Sequence, residues 1–443
     1  MRLRRQLPTS NSQLPRREGL ESSVKDLRFS WLRRSSVSSI GQVSLGVGSW
    51  KLGVVTALFL AASPIAAQKP APPKAATAKP APKPDASSPE FEKLLKQATD
   101  ARQAERWDEA IGLYARLLKL KPDYVEGYWY QGTAYYTQDN FPRCKESFRK
   151  VVSLAPKNGA GYAFLGLCEF GLKEYDRSLQ HLLQSRILGI GDVPDLGGVS
   201  RYHAAILMSR MEQYEQALET LGEFAGEGND NPRVIEAMGI ATLRMPMLPV
   251  ETPPDRREMI LMAGRASYLM ATRNTAAAER AFEQLALRYP ETPNVHYAFG
   301  VFLLQEKGER AIEELKRELE IQPNHPWSLM QMAFEYLKQG DAAAALSIAK
   351  QAVAAAPNAF PARKALGQAL LDSGDIDGAI RELQAGLKMA PDSPGLHFTI
   401  ARAYQRAGRL EDAAREREEF TRLDRLARTQ RSGAQSVGGH IEK

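Results

Sequence analysis

Five aromatic rings stand within twelve positions in VEGYWYQGTAYY, residues 125 to 136. Rings at this density serve as a ligand site, as a stacking platform for bases, or as core, and their spacing decides which. Other chemistry-bearing residues are sparse. Two cysteines, Cys144 and Cys168, form no Cys-x-x-Cys pair, and none of the six histidines has another three or four residues away. A zinc module or other metal site is therefore not expected. No nucleophile elbow, Walker loop, His-Glu-x-x-His or dinucleotide fingerprint occurs. Acidic residues are plentiful but lie in stretches such as ERAIEELKRELE (309–320), where a solvated helix face explains them. Neither an enzyme nor a cofactor is expected.

Charge narrows the partners. The net charge of +7 arises within residues 1 to 51, where eight Arg and two Lys oppose three acids, so the rest of the chain is neutral. A polyanion binder carries its basic patch in its folded part. Nucleic acid is not an expected partner, and the aromatic residues lack the Lys and Arg that accompany base-stacking grooves.

KLGVVTALFLAASPIAAQ, residues 51 to 68, has one cation, a mostly apolar run and a small-residue end. This is the pattern of a secretory signal cut after Ala67. The run falls short of the roughly 20 residues of a spanning helix. The expectation is a periplasmic or secreted protein, the alternative an inner-membrane anchor if residues 52–67 stay uncleaved. The Arg- and Ser-rich residues ahead of it are too long for an n-region, which points to translation beginning nearer Val43. The Pro-, Ala- and Lys-rich segment 68–90 reads as a semi-rigid linker.

Past residue 90 the chain repeats. Pro122 and Pro156 are 34 apart, as are Pro323, Pro357 and Pro391, and a small residue keeps the same beat at Ala110, Cys144, Ala311, Ala345, Ala379 and Ala413. Within residues 125–158, Tyr128, Gly132 and Tyr135 share one helical face, and Pro156 closes the second helix. Gly340, Gly374 and Gly408 fall just past a first helix, where a left-handed cap is required. A 34-residue period with two helical runs and a terminal proline resembles the tetratricopeptide repeat (TPR) family. The resemblance implies an all-α, right-handed superhelix of helix–turn–helix units. The units read as an N-terminal block 91–231, an irregular unit 232–258, a C-terminal block 259–427 and a flexible tail 428–443. The Gly-rich stretch 188–198 reads as a connector. The prolines of MPMLPVETPP (245–254) are expected to divide the array, with six of the twelve methionines, at 238–270, filling gaps around the joint.

The resemblance also implies that first helices line a concave groove. Carried onto this chain, groove-facing positions include Trp129, Thr133, Tyr136, Phe170, Tyr202, Tyr297, Trp327, Phe334 and Phe398. An apolar groove of this kind suits an amphipathic helix or an extended aromatic-bearing peptide. Chaperone-binding members of the family hold a peptide's terminal carboxylate with Lys, Asn and Arg. Here Lys364, Arg402 and Arg406 are basic groove positions without an accompanying Asn, so that mode is not expected. Cys144 and Cys168 occupy successive units on an oxidising export route, which leaves two readings, a disulfide or two buried thiols. The expected function is an exported scaffold binding a protein or peptide. The alternatives are a membrane-tethered envelope assembly factor and a carbohydrate-handling accessory protein.

Overall fold

A computed structural model describes residues 88–191, 193 and 195–438. The signal segment, and the linker as far as residue 87, lie outside the described residues. Among the described residues there are nineteen α-helices, two short 3-10 turns and no strand, so the chain is all-α.

Between Ser200 and Arg201 the chain divides into two compact units. The first contains α1 (Pro89–Gln103), α2 (Trp107–Leu120), α3 (Val125–Thr137), α4 (Phe141–Leu154), α5 (Gly159–Gly171) and α6 (Tyr175–Leu188). The division falls within α7 (Leu196–Arg210). In the second unit follow α8 (Tyr214–Gly226), α9 (Pro232–Thr242), α10 (Arg257–Ala271), α11 (Thr275–Arg288), α12 (Val295–Leu303) and α13 (Gly308–Ile321). The series closes with α14 (Pro326–Gln339), α15 (Ala342–Ala355), α16 (Phe360–Asp372), α17 (Ile376–Met389), α18 (Pro394–Arg406) and α19 (Leu410–Gly438).

Local chemistry sets these boundaries. Side chains of Ser88, Asn158, Asp341 and Asp375 accept hydrogen bonds from backbone amides three residues on, capping α1, α5, α15 and α17. At the other end, proline forces its predecessor out of the helical region. Lys121, Ala155 and Ala356 take ψ values of 89°, 76° and 74° ahead of Pro122, Pro156 and Pro357. Between the helices of a pair, Gly340, Gly374 and Gly408 have φ of 79°, 92° and 73°. The matching turns of other pairs place Glu105, Asp139, Lys173, Glu212 and Arg273 in that same left-handed region.

The 34-residue beat is a packing beat. Ala110, Cys144, Ala311, Ala345, Ala379 and Ala413 are all fully buried where second helices cross first helices. The facing position is as tight: a Cβ at Gly132 would lie 2.7 Å from the Phe148 ring, and one at Gly367 would lie 2.5 Å from Leu383. Each helix pair thus interlocks through a small residue from either side.

One expectation is corrected. The proline-rich stretch 245–254 folds as 3-10 turns Pro249–Glu251 and Pro254–Arg256, yet the array does not divide there. The helices flanking it are welded: a side chain at Gly239 would collide with the Ile260 carbonyl, and one at Gly264 with the Ile235 carbonyl. One apolar cluster runs across the joint from Ile240 and Leu243 to Phe282, Phe299 and Phe302, and Met245, Met247, Met262 and Met270 pack against it. The division lies instead beside the Gly-rich connector, where Gly189 and Gly191 adopt positive φ. Residues 428–438 belong to the segment expected as a tail. They continue α19 without a break, because no proline or left-handed cap stops it.

Candidate functional site

In the first unit, α3 presents its five rings in different directions, and each has a distinct surrounding. Tyr130 stacks on Tyr114 of α2 at 5.6 Å between centroids, with the Arg102 guanidinium 4.3 Å from its ring. Tyr135 is buried and its hydroxyl accepts from Arg143, while Tyr128 is half-buried. Trp129 and Tyr136 lie one above the other on another face. Both turn their rings edge-on to Phe164 of α5, at 5.4 and 5.6 Å, and Trp129 also meets Phe148 at 5.5 Å. Phe148 and Phe164 are themselves stacked at 4.8 Å. Trp129 and Tyr136 are therefore half-embedded in the seam between successive helix pairs.

Thr133, expected in a groove, is buried, and its hydroxyl donates to the Tyr130 carbonyl. Phe170, on the same side of α5, is half-buried and tilted against Tyr175 at 5.7 Å. Behind this seam the structure pairs Cys144 of α4 with Cys168 of α5 as a disulfide, Cα to Cα 5.9 Å.

In the second unit the aromatic positions diverge more. Tyr202 is half-buried and edge-on to His203, and burial pushes its phenol up to about 12. Tyr297 is buried rather than groove-facing, and Trp327 joins it around an internal cation. That cation is Arg244, whose guanidinium lies 4.7, 5.5 and 4.6 Å from the rings of Tyr214, Tyr297 and Trp327 and pairs with Glu215 at 2.6 Å. Arg244 occupies the left-handed turn position after α9, with φ of 52°. Beside it, His325 caps α14, its Nδ1 accepting from the Ser328 amide and hydroxyl. Burial and the Arg244 charge bring this imidazole down to about 4.

Phe334 and Phe398 remain partly open. The Lys364 ammonium lies 5.6 Å from the Phe334 ring. Phe398 is 48% exposed and tilted against Phe420 of α19 at 5.5 Å. A cavity of about 390 Å³ opens there, lined by Phe398, Phe420, Lys364, Arg402, Gln368, Gly395 and Thr399.

Histidine–glutamate brackets escaped the sequence reading. His296 and His397 each set Nδ1 2.6 Å from a carboxylate, Glu314 and Glu416, and donate from Nε2 to the carbonyl of the proline six residues earlier. The Glu314 carboxylate holds the His296 imidazole above its ordinary range. The Pro-x5-His spacing in both repeats was the available signal. These brackets tie each inter-repeat turn to the following pair and leave no open coordination position. Among the described residues, no group of three or more His, Cys, Asp or Glu could hold a metal ion, and no helix is long and apolar enough to cross a membrane.

Matches to family models agree with this architecture. Tetratricopeptide repeat models match residues 95–143 and 264–326, and a second such model matches 336–397 and 370–416. Cellulose synthase operon protein C of Xanthomonas axonopodis pv. citri is 25% identical over 362 residues, covering 79% of this chain and 23% of that protein. The chain thus spans under a quarter of that relative's length. Among solved structures, MamA 41-end from Desulfovibrio magneticus RS-1 is 23% identical, with 39% of this chain and 97% of that one covered at a TM-score of 0.35. The MamA RS-1 ArsTM double mutant is 21% identical over 38% and 96%, at a TM-score of 0.36. With paired helices, a 34-residue beat of small residues at the crossings and repeat models matching in both units, the chain is a tetratricopeptide-repeat protein.

Proposed function

We propose that the chain is an exported scaffold that binds a protein or peptide partner through aromatic and apolar residues on its first helices. The observation that carries this reading is the partial exposure of Trp129, Tyr136 and Phe170 in one unit and of Phe334 and Phe398 in the other. Partly open rings on a rigid helical frame are the anchors that dominate interface energies. Export is supported by the signal pattern at 51–67 and by the disulfide, which belongs to an oxidising compartment. The name of the Xanthomonas relative favours a second reading, an accessory to cell-surface polysaccharide synthesis with a sugar stacked on the open rings.

Cross-linked capture with the full chain from an exporting host tests the first reading. A Tyr136→Ala, Phe170→Ala variant with unchanged helicity should lose the captured protein. Undiminished capture would overturn the role of these rings. Mass spectrometry of the exported protein should find its amino terminus at Gln68, and an intact residue 1 would refute cleavage.

A further inference from the structure

The helical hairpin of residues 125–158 has a gap that other repeats close. Tyr128 of α3 and Ser147 of α4 stand across the hairpin from each other and line a cavity of about 710 Å³. This is a different face of α3 from that of Trp129 and Tyr136. Thirty-four residues on, the counterparts Tyr162 and His181 touch at 5.8 Å between ring centroids, and His181 also reaches the buried Glu169 at 2.6 Å. Thirty-four residues back, Leu94 and Leu113 pack in one apolar cluster. Counterparts in the second unit are Leu329 and Ile348 in one cluster, Arg363 and Glu382 at 2.8 Å, and His397 and Glu416 at 2.6 Å. A serine at 147 is shorter than any of these partners. This hairpin therefore keeps a recess in the size range of ligand pockets, about 300 to 1,000 Å³.

The recess is basic and rich in hydroxyls. Arg149 and Lys150 line it, and neither forms an ion pair among the described residues. Arg143 donates to the Tyr135 hydroxyl at 3.3 Å, which leaves that hydroxyl its own proton to give. Glu146 is the one carboxylate of the lining among the described residues, so three cations face one acid. Gln131 donates to the Ile111 carbonyl of α2 and keeps its amide oxygen as an acceptor. The hydroxyls of Tyr128, Ser147 and Ser153 make no hydrogen bond among the described residues. An inorganic anion would use the cations and leave these neutral groups unmet. A bilayer surface cannot enter a recess between two helices. A chain that carries both carboxylates and hydroxyls uses every group. Arg143 and Lys150 are seven residues apart, about 10 Å along α4. An extended β-linked uronate chain turns every second carboxylate to one side, at a comparable interval.

We propose that this recess binds an acidic oligosaccharide, a β-linked uronate chain. Its carboxylates meet Arg143, Arg149 and Lys150, and its ring hydroxyls meet Tyr128, Gln131 and Ser147. The inference goes beyond the partner-binding reading, because none of the rings named there lines the recess.

Isothermal titration calorimetry on the full chain at low salt tests it, with β-linked tetramannuronate, neutral cellotetraose and inorganic phosphate as probes. The uronate should bind about tenfold more tightly than either of the others. Ser147→His installs the side chain with which the next repeat closes the gap, and removes no cation. With helicity unchanged, it should weaken uronate binding about tenfold. Lys150→Gln, at the exposed rim, should weaken it severalfold. Uronate binding no tighter than that of cellotetraose, or undiminished in either variant, would overturn the proposal. So would phosphate binding that matches the uronate, or capture by vesicles of phosphatidylglycerol and phosphatidylcholine in equal parts in place of the sugar. Should Ser147→His lose helicity, Lys150→Gln decides alone.

Discussion

At the scale of single residues, identity and role come apart in this protein. Tyr297 and Trp327 have the type and spacing of binding rings, yet they enclose Arg244. A guanidinium packed on three rings and paired with Glu215 holds the irregular segment after α9 against two later repeats. His325, in the same cluster, is a pH-sensitive cap. Its Nδ1 must keep a lone pair to accept from Ser328, so protonation removes the cap and places a cation beside Arg244. The folded chain holds this proton more weakly than the unfolded chain, near pH 4 against the ordinary 6.5. The stability from neutral His325 is therefore full above pH 6.5 and is lost as pH falls towards 4, up to ~3 kcal/mol. His325→Asn keeps a capping acceptor and cannot titrate. Denaturation midpoints should show a shallower acid slope for this variant than for the parent, and equal slopes would refute the role. His296 has the opposite sign: its raised pKa gives stability below about 6.5 that is lost at higher pH.

At the scale of elements, the turn between paired helices follows one rule with two solutions. Gly340, Gly374 and Gly408 enter the left-handed region without a Cβ, while Asp139, Lys173 and Arg273 enter it with one. A side chain there costs about 1 kcal/mol relative to glycine. Lys173→Gly and Arg273→Gly should therefore raise the unfolding free energy measured by urea denaturation by up to ~1 kcal/mol, and Gly374→Ala should lower it by a similar amount. Arg244 has the same backbone strain but is excluded from this gain, because its side chain supports the aromatic cluster.

At the scale of the whole molecule, the chain has two compact units, and its disulfide lies in only one of them. The bond spans 24 residues of sequence, for which loop-closure entropy predicts about 3 kcal/mol. Repeat arrays unfold in parts when contacts are local. A reductant, or Cys144→Ser with Cys168→Ser, should lower one of two unfolding transitions and leave the other in place. Calorimetry resolves the two, and a single transition that shifts as a whole would refute their independence. Non-reducing peptide mapping should recover residues 144 and 168 in one linked fragment.

The sequence by itself determined whatever depends on period. Small residues every 34 positions, prolines at the ends of second helices and glycines past first helices are local requirements of a helical hairpin, legible without neighbours. Tyr128 and Tyr135 were separable from Trp129 and Tyr136 for the same reason, since a helix assigns faces by spacing alone. Only the tertiary structure decided which rings stay open. Thr133 and Tyr297 stand at positions that the family resemblance assigns to a groove, but both are buried, and Tyr297 packs against Met332 and Arg244, each more than a repeat away in sequence. The proline-rich joint follows the same logic. Its prolines read as a break in one dimension, while Gly239 and Gly264 let the flanking helices close over it in three. The same is true of the cavity beside Lys364, whose lining is assembled only when α16, α18 and α19 converge.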